Sequence, residues 1–195
     1  MKTRKQGGLF MKKNILAIII AATLILVLFT ACGGGTSTGN VKTGLGHVVT
    51  IGKSEDAAAD KEGFVQVDTI MAAVSVDSAG KIVSVNIDNA QTKVPFDASG
   101  KLKADLAQPQ KTKVELGKDY GMIKASSIGK EWFEQIADLE KWMVGKTIDE
   151  IKAMKVKKVD DSHPNVPDEP DLVSKVTVSV EGYIAAVEEA VKNAK

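Results

Sequence analysis

Hydrophobic and polar positions change their rhythm three times along this chain. Ile15 to Phe29 is an almost unbroken apolar run, and a polar, glycine-rich stretch follows it. Beyond residue 46 a period of two takes over. His47-Val48-Val49-Thr50-Ile51 predicts a short strand. Phe64 to Val76 is apolar and partly β-branched, and Ile82 to Asp88 alternates, with Val83, Val85 and Ile87 on one face and Ser84, Asn86 and Asp88 on the other. The turn sequence Asp77-Ser78-Ala79-Gly80-Lys81 lies between these two runs, which predicts a hairpin with one wetted face. A similar turn recurs at Asp97-Ala98-Ser99-Gly100-Lys101, flanked by Val94-Pro95-Phe96 and Leu102.

The period then lengthens. Ala107 to Lys130 is loop-rich, punctuated by Pro109, Gly117, Gly121 and Gly129. From Lys130 the apolar residues Trp132, Ile136, Leu139 and Met143 share one helical face, and Gly145 ends the pattern. Thr147-Ile148-Asp149-Glu150 has the form of a capping box and predicts a short helix to about Met154. Lys155 to Asp171 carries Pro164, Pro167 and Pro170 among charges and reads as an exposed loop, while Val173 to Val180 reads as extended. Gly182 to Ala194 predicts a closing helix that buries Tyr183, Ile184, Val187, Ala190 and Val191. Glu181 near its start and Lys192 and Lys195 at its end complement the helix dipole. The expected fold class is α+β: an antiparallel β-meander packed against a few helices, with the C-terminal helix closing the domain.

The N-terminal run has its own meaning. Lys12-Lys13 precede it and Thr30-Ala31-Cys32-Gly33 close it, the order of a signal peptide. At Ile15 to Phe29 it is shorter than the roughly 20 residues that span a bilayer, although an uncleaved anchor is the alternative. A cysteine at the cut resembles the lipobox of bacterial lipoproteins, with Phe29 where leucine is usual. The resemblance implies that Cys32 takes a diacylglyceryl group and becomes the new N-terminus, leaving the protein lipid-anchored on the cell membrane and facing outside the cytoplasm. Two acyl chains hold a protein stably where one does not. Met11 before Lys12-Lys13 is an alternative start to Met1. The expected organisation is thus a signal peptide over 1–31, a flexible tether over 32–45 rich in Gly, Ser and Thr, and a domain over 46–195. Within that domain, 107–158 is a candidate helical insertion.

Charge narrows the function classes. The 26 basic and 25 acidic residues nearly balance, five of the bases fall in the signal segment, and Arg4 is the only arginine. The remainder is mildly acidic and lacks the basic stripe with arginine forks that nucleic-acid binding needs. With Cys32 acylated no thiol remains for disulfides, metal clusters or catalysis. His47 and His163 lie in a strand start and a proline-rich loop, away from any nucleophile motif, and read as surface residues. Asp160, Asp161, Asp168, Glu169 and Asp171 crowd one loop without the spacing or turn glycine of a calcium site, so no metal is expected. Trp132 belongs to the core stripe; Trp142 lies about 80° away on the helical wheel and is not explained by it. No hydrolytic or transferase constellation is present.

The stretch with most chemical content is Asp171-Leu172-Val173-Ser174-Lys175-Val176-Thr177. It resembles the flavin-attachment motif of the FMN-binding domain family, which includes periplasmic subunits of Rnf and sodium-pumping quinone reductase complexes and lipoproteins of extracellular electron transfer. Asp171, Ser174 and Thr177 fall on the family's aspartate, serine or threonine, and FMN-bearing threonine. Lys175 and Val176 stand where the family has glycine and alanine. The run Val74-Ser75-Val76 through Gly80 to Ile87 is similar to the opening hairpin of that domain. The resemblance covers about two thirds of the mature chain loosely, and it implies Asp171, Ser174 and Thr177 as cofactor-binding residues, FMN as cofactor, and electron transfer as function. A flavin performs the electron chemistry itself, so such a carrier needs no acid–base residues. The alternative is a fold kept without flavin, in a non-redox lipoprotein that binds a small ligand or partner. Thr112 to Trp132, with glycines and aromatics around Tyr120, is similar to uncharacterised lipoproteins of this kind and has the composition of a ligand cleft.

Overall fold

The computed structural model describes residues 40–195; the expected signal peptide, Cys32 and most of the expected tether lie outside the described residues. Three antiparallel strands come first, β1 (Lys42–Thr50), β2 (Gly63–Val76) and β3 (Ile82–Phe96), in the order β1-β2-β3. Helices α1 (Lys113–Leu116), α2 (Trp132–Met143) and α3 (Ile148–Lys152) follow, with two 3-10 turns at Gly117–Tyr120 and Met122–Lys124. A two-residue pair, β4 (Val156–Lys157) with β5 (Val166–Pro167), precedes the C-terminal helix α4 (Glu181–Lys192). The class is α+β, a β-meander with helices packed on it and α4 closing the domain. No helix among the described residues is long and apolar enough to cross a membrane.

The hairpin forms where the alternation puts it, and both turns repeat one device. Asp77 Oδ1 accepts the N–H groups of Ala79 and Lys81 (both 2.9 Å), and Asp97 Oδ1 accepts those of Ser99 and Lys101 (both 3.0 Å). Gly80 and Gly100 complete the turns at φ 74° and 80°, a region where a side chain is strained. The phase of β3 differs from the sequence expectation. Val76 pairs with Ile82 and Ser75 with Ser84, so Val83 is the extra residue of a bulge. Ile82, Val85 and Ile87 are therefore buried and Val83 is exposed. A bulge exchanges the faces of the residues before it, which strict alternation cannot reveal.

Strand β1 begins at Lys42, so the last four residues assigned to the tether belong to the sheet. Its glycines explain how α4 docks. A Cβ at Gly44 would collide with the Ala190 carbonyl oxygen, and one at Gly46 with the Ala186 carbonyl oxygen and the Ala190 backbone nitrogen. Ala186 and Ala190 are fully buried there. Helix and strand meet backbone to backbone because neither side carries bulk.

Both edges of the sheet are covered. Along β1, the His47 N–H donates to Glu189 Oε2 (2.6 Å), Asn193 Nδ2 donates to the Leu45 carbonyl (3.0 Å), and Thr43 exchanges backbone bonds with Lys195. Along β3, the Ile87 N–H donates to Glu140 Oε1 (2.6 Å), and Ile82 exchanges bonds with Gly145 and Lys146. Edges closed in this way offer no template for a further strand. Val173–Val180, β-branched as it is, forms no strand. It runs instead as a turn, with Val176 N–H on the Leu172 carbonyl and Val180 N–H on that of Asn165, burying Val176 and Val180.

The region 107–158 is one wall of a single core. Trp132, Ile136, Leu139 and Met143 of α2, Ile151 of α3 and Met154 pack with Val74, Val85 and Ile87 of the sheet and Tyr183 and Val187 of α4. Each such side chain contributes roughly 1.5–3 kcal/mol on burial. The expected capping box at Thr147 is present, Glu150 reaching back to the Thr147 N–H (2.7 Å). A second one caps α1 at Thr112 with Glu115. The loop 155–171 is exposed over most of its length but buries Val166 and Pro167.

Candidate functional site

The inner face of the sheet does not stay apolar to its end. Beyond Val76, Val74 and Ala72 the same face of β2 continues with Asp68 and Gln66, and that of β3 with Asn89, all three buried. Gln66 Nε2 donates to both Asp68 oxygens (3.1 and 3.2 Å), and Lys53, from the loop after β1, reaches Asp68 Oδ2 at 3.1 Å. Asn89 bonds the Tyr183 hydroxyl, while its own Oδ1 has no partner. Buried polar groups carry a desolvation cost that a purely structural sheet end would avoid.

A cleft of about 690 Å³ opens beside this polar end, within the range of small-ligand pockets, about 300–1,000 Å³. Its walls come from Lys53, from Lys113 of α1, from the 3-10 region around Tyr120 and Met122, from Ser126 to Ile128, and from Trp132 of α2. The loop from Lys157 to Pro167, the segment Val173 to Ser179, and Tyr183 of α4 complete them. Trp132 Nε1–H donates to the Tyr183 hydroxyl (2.9 Å), and the two rings meet edge to face, 6.0 Å between centroids. Burial pushes the Tyr183 hydroxyl up to about 12, against the hydrogen bonds from Trp132 and Asn89. It is a neutral phenol across the physiological range.

Lys113 is the unusual member. Only 8% of it is exposed, and its Nζ lies 4.7 Å from the Tyr120 ring centroid and 5.3 Å from that of Trp132. No hydrogen bond or ion pair holds that amine among the described residues. Desolvation, reinforced by the nearby Lys53 charge and only partly offset by Asp68, lowers it to about 8. The other two cleft lysines are paired, Lys53 with Asp68 and Lys157 with Asp168 (2.8 Å). The one carboxylate on the wall, Asp160, is bound to His163 Nδ1 at 2.8 Å and held below the usual range by that bond. Lys113 is thus the one cleft lysine without a carboxylate partner among the described residues, and Ser126, Ser127, Thr177 and Ser179 supply hydroxyls.

Of the three residues expected to bind a cofactor, Thr177 lines this cleft. Its N–H (2.8 Å) and its hydroxyl (3.2 Å) both donate to Gln135 Oε1. Asp171 is exposed and borders a separate shallow groove with Lys175 and Trp142, and Ser174 is exposed outside the cleft. The turn at 171–175 separates them, so the three do not converge. Gln135, fully buried, was missed by the sequence reading although it sits at the i+3 position of the Trp132 stripe. Its Nε2 donates to Ser126 Oγ (3.2 Å) and the Lys130 carbonyl (3.3 Å), so one amide ties α2 to two cleft segments. Lys53 and Lys113 carried no sequence signal, being two lysines among many.

His47 is exposed on β1 beside Glu189, and His163 stands at the cleft wall. Trp142 is accounted for by Lys146, whose Nζ lies 4.3 Å from its ring centroid. Among the described residues no group of three or more His, Cys, Asp or Glu side chains is placed to hold a metal ion. No family model, curated protein or solved structure matches this chain.

Proposed function

We propose that this is a lipid-anchored protein outside the cytoplasm, held through Cys32, whose cleft binds a small anionic aromatic ligand without a covalent bond. Flavin mononucleotide is the lead candidate, by the resemblance around Asp171–Thr177. The observation that carries the reading is Lys113, a buried amine without an anion of its own, facing a cleft whose other cations are Lys53 and Lys157. An unpaired buried cation is costly, and a ligand phosphate would relieve it. Tyr120, Met122, Ile128 and Val178 give the apolar wall that a planar ring needs. The residues present therefore suit both ends of a flavin nucleotide. A bound flavin would supply the electron chemistry, while these side chains bind it, orient it and shape its surroundings.

Attachment through Thr177 is not part of the reading. Both Thr177 donors are engaged by Gln135, and the bulk of Lys175 and Val176 occupies the positions where the attachment motif is small. The test is a fluorescence titration of the full-length, detergent-solubilised protein with FMN and with riboflavin, which lacks the phosphate. FMN binding at least tenfold tighter than riboflavin, weakened by salt and by Lys113→Ala, supports the proposal. Equal affinities would remove the phosphate from the recognition, and no binding of either would remove flavin. An anionic aromatic ligand without redox activity would then be sought for the same cleft.

A further inference from the structure

Lys113 differs from its neighbours in more than burial. Lys53 and Lys157 line the same cleft, yet each is held by a carboxylate, at 3.1 and 2.8 Å. Lys113 has two aromatic rings against it and a second ammonium nearby instead. Desolvation beside another cation is the arrangement that turns a lysine into a nucleophile.

We propose that Lys113 is a reactive amine that captures small anionic aldehydes in the cleft as an imine, with Lys53 and Lys157 attracting the anionic group. The step balances without an oxidant or reductant. The Nζ lone pair attacks the carbonyl carbon, and the carbonyl π pair moves to oxygen. A proton passes from nitrogen to that oxygen through solvent in the open cleft. The carbinolamine then loses water, and the nitrogen forms the C=N bond. The nitrogen lone pair makes the second C–N bond as the C–O bond breaks, the last N–H proton leaves with the hydroxyl as water, and one water is released for each aldehyde bound with no net oxidation or reduction.

The charged and titratable groups that act on Lys113 are Lys53 from the loop after β1, Asp68 of β2, and Tyr120, whose hydroxyl burial raises. With the amine lowered to about 8, about one Lys113 in ten is neutral at pH 7, against fewer than about one in a thousand for an ordinary lysine. That fraction sets the selectivity to be measured.

The probe is pyridoxal 5′-phosphate, an anionic aromatic aldehyde, added to the full-length protein in detergent at pH 7.5 and trapped with sodium borohydride. Intact mass and peptide mapping then locate the adduct. One adduct per chain at Lys113, formed at least tenfold faster than at any other lysine, is the expected result. Lys113→Arg keeps the charge and abolishes that adduct. A pH series on the unmodified sequence gives a second reading independent of the variant's folding, with the labelling rate levelling off above about pH 8 rather than climbing past 10. Label spread over exposed lysines, or concentrated on Lys53 or Lys157, overturns the inference. The labelling uses no flavin, so a protein that binds no flavin yet labels at Lys113 separates this inference from the reading above.

Discussion

Replacing Gln135 with leucine tests the link between core and cleft most directly. The side chains are close in size, so the change removes the amide with little change in volume. Gln135 is fully buried, and its Oε1 accepts the Thr177 N–H at 2.8 Å and the Thr177 hydroxyl at 3.2 Å. Its Nε2 donates to Ser126 Oγ and the Lys130 carbonyl. Ser126 and Thr177 border the cleft, so their hydroxyls can turn to water. The Thr177 N–H cannot rotate. Leaving a buried donor unmatched costs about 1–3 kcal/mol, partly offset by the apolar side chain gained. At about 2–4 °C per kcal/mol for a chain of this size, a net loss of about 2 kcal/mol lowers the unfolding midpoint by roughly 4–8 °C. Circular dichroism against temperature measures the shift, and urea titration at fixed temperature checks it. The cleft wall should also loosen, so the FMN affinity proposed above should fall together with stability. Gln135→Glu makes the explanation sharper, because a buried carboxylate is tolerated only when protonated. Its destabilisation should be smaller at pH 4 than at pH 8. A Gln135→Leu protein that unfolds at the parental midpoint would refute the assignment of Gln135 as the tie between α2 and the 177 segment.

Three further outcomes can be measured, two from the geometry and one from the sequence. Gly46→Ala should cost about 1–3 kcal/mol or more, because the two nearest atoms its Cβ meets are backbone and cannot rotate away. Gly182→Ala should cost less, since its Cβ meets only the flexible Ile70 Cδ1 at 2.6 Å, and paired thermal melts compare the two. Glu140 is raised above the ordinary carboxylate range chiefly by burial, with Asp88 adding to the effect and the Ile87 N–H opposing it. A raised folded value favours folding below the ordinary range, and that contribution is lost as pH rises through it. Glu140→Gln, which keeps an acceptor for Ile87, should therefore gain stability relative to the parent at pH 7 and lose that advantage below pH 4, read from urea midpoints. Cys32→Ser should abolish lipid incorporation and release the protein from membranes, as fractionation with palmitate labelling would reveal; retention in the membrane at full level would favour an uncleaved anchor.

The parts of this fold that were legible in the sequence are those where one local pattern has one structural solution. The Asp-x-x-Gly-Lys turns, the Trp132–Met143 stripe, the Thr147 capping box and the C-terminal amphipathic run each declare themselves within a dozen residues, and the α+β class follows from their order. The parts that failed depend on distant chain. The bulge that expels Val83 is set by pairing with β2, and the path of Val173–Val180 ends on a bond from the Val180 N–H to the Asn165 carbonyl, in a different loop. The start of β1 is of the same kind. Lys42-Thr43-Gly44-Leu45 reads as linker because its glycine invites flexibility, yet Gly44, with Gly46 just beyond, is there so that α4 can lie against the strand.

The site obeys the same rule more severely. Gln66, Asp68 and Asn89 sit in apolar-patterned strands as phase-correct polar residues, and Gln135 sits at a core position of α2. Each breaks its local pattern while keeping the geometric phase of the buried face. Such residues are destabilising unless something satisfies them. Here Gln66 serves Asp68, Asp68 serves Lys53, and Gln135 serves Thr177 and Ser126, so the cost converges on one cleft. Lys113 ends that chain without a partner. A core that could have been closed with leucine and valine has been opened to seat a lysine against two aromatic rings, and a bound anion is what would make that arrangement favourable.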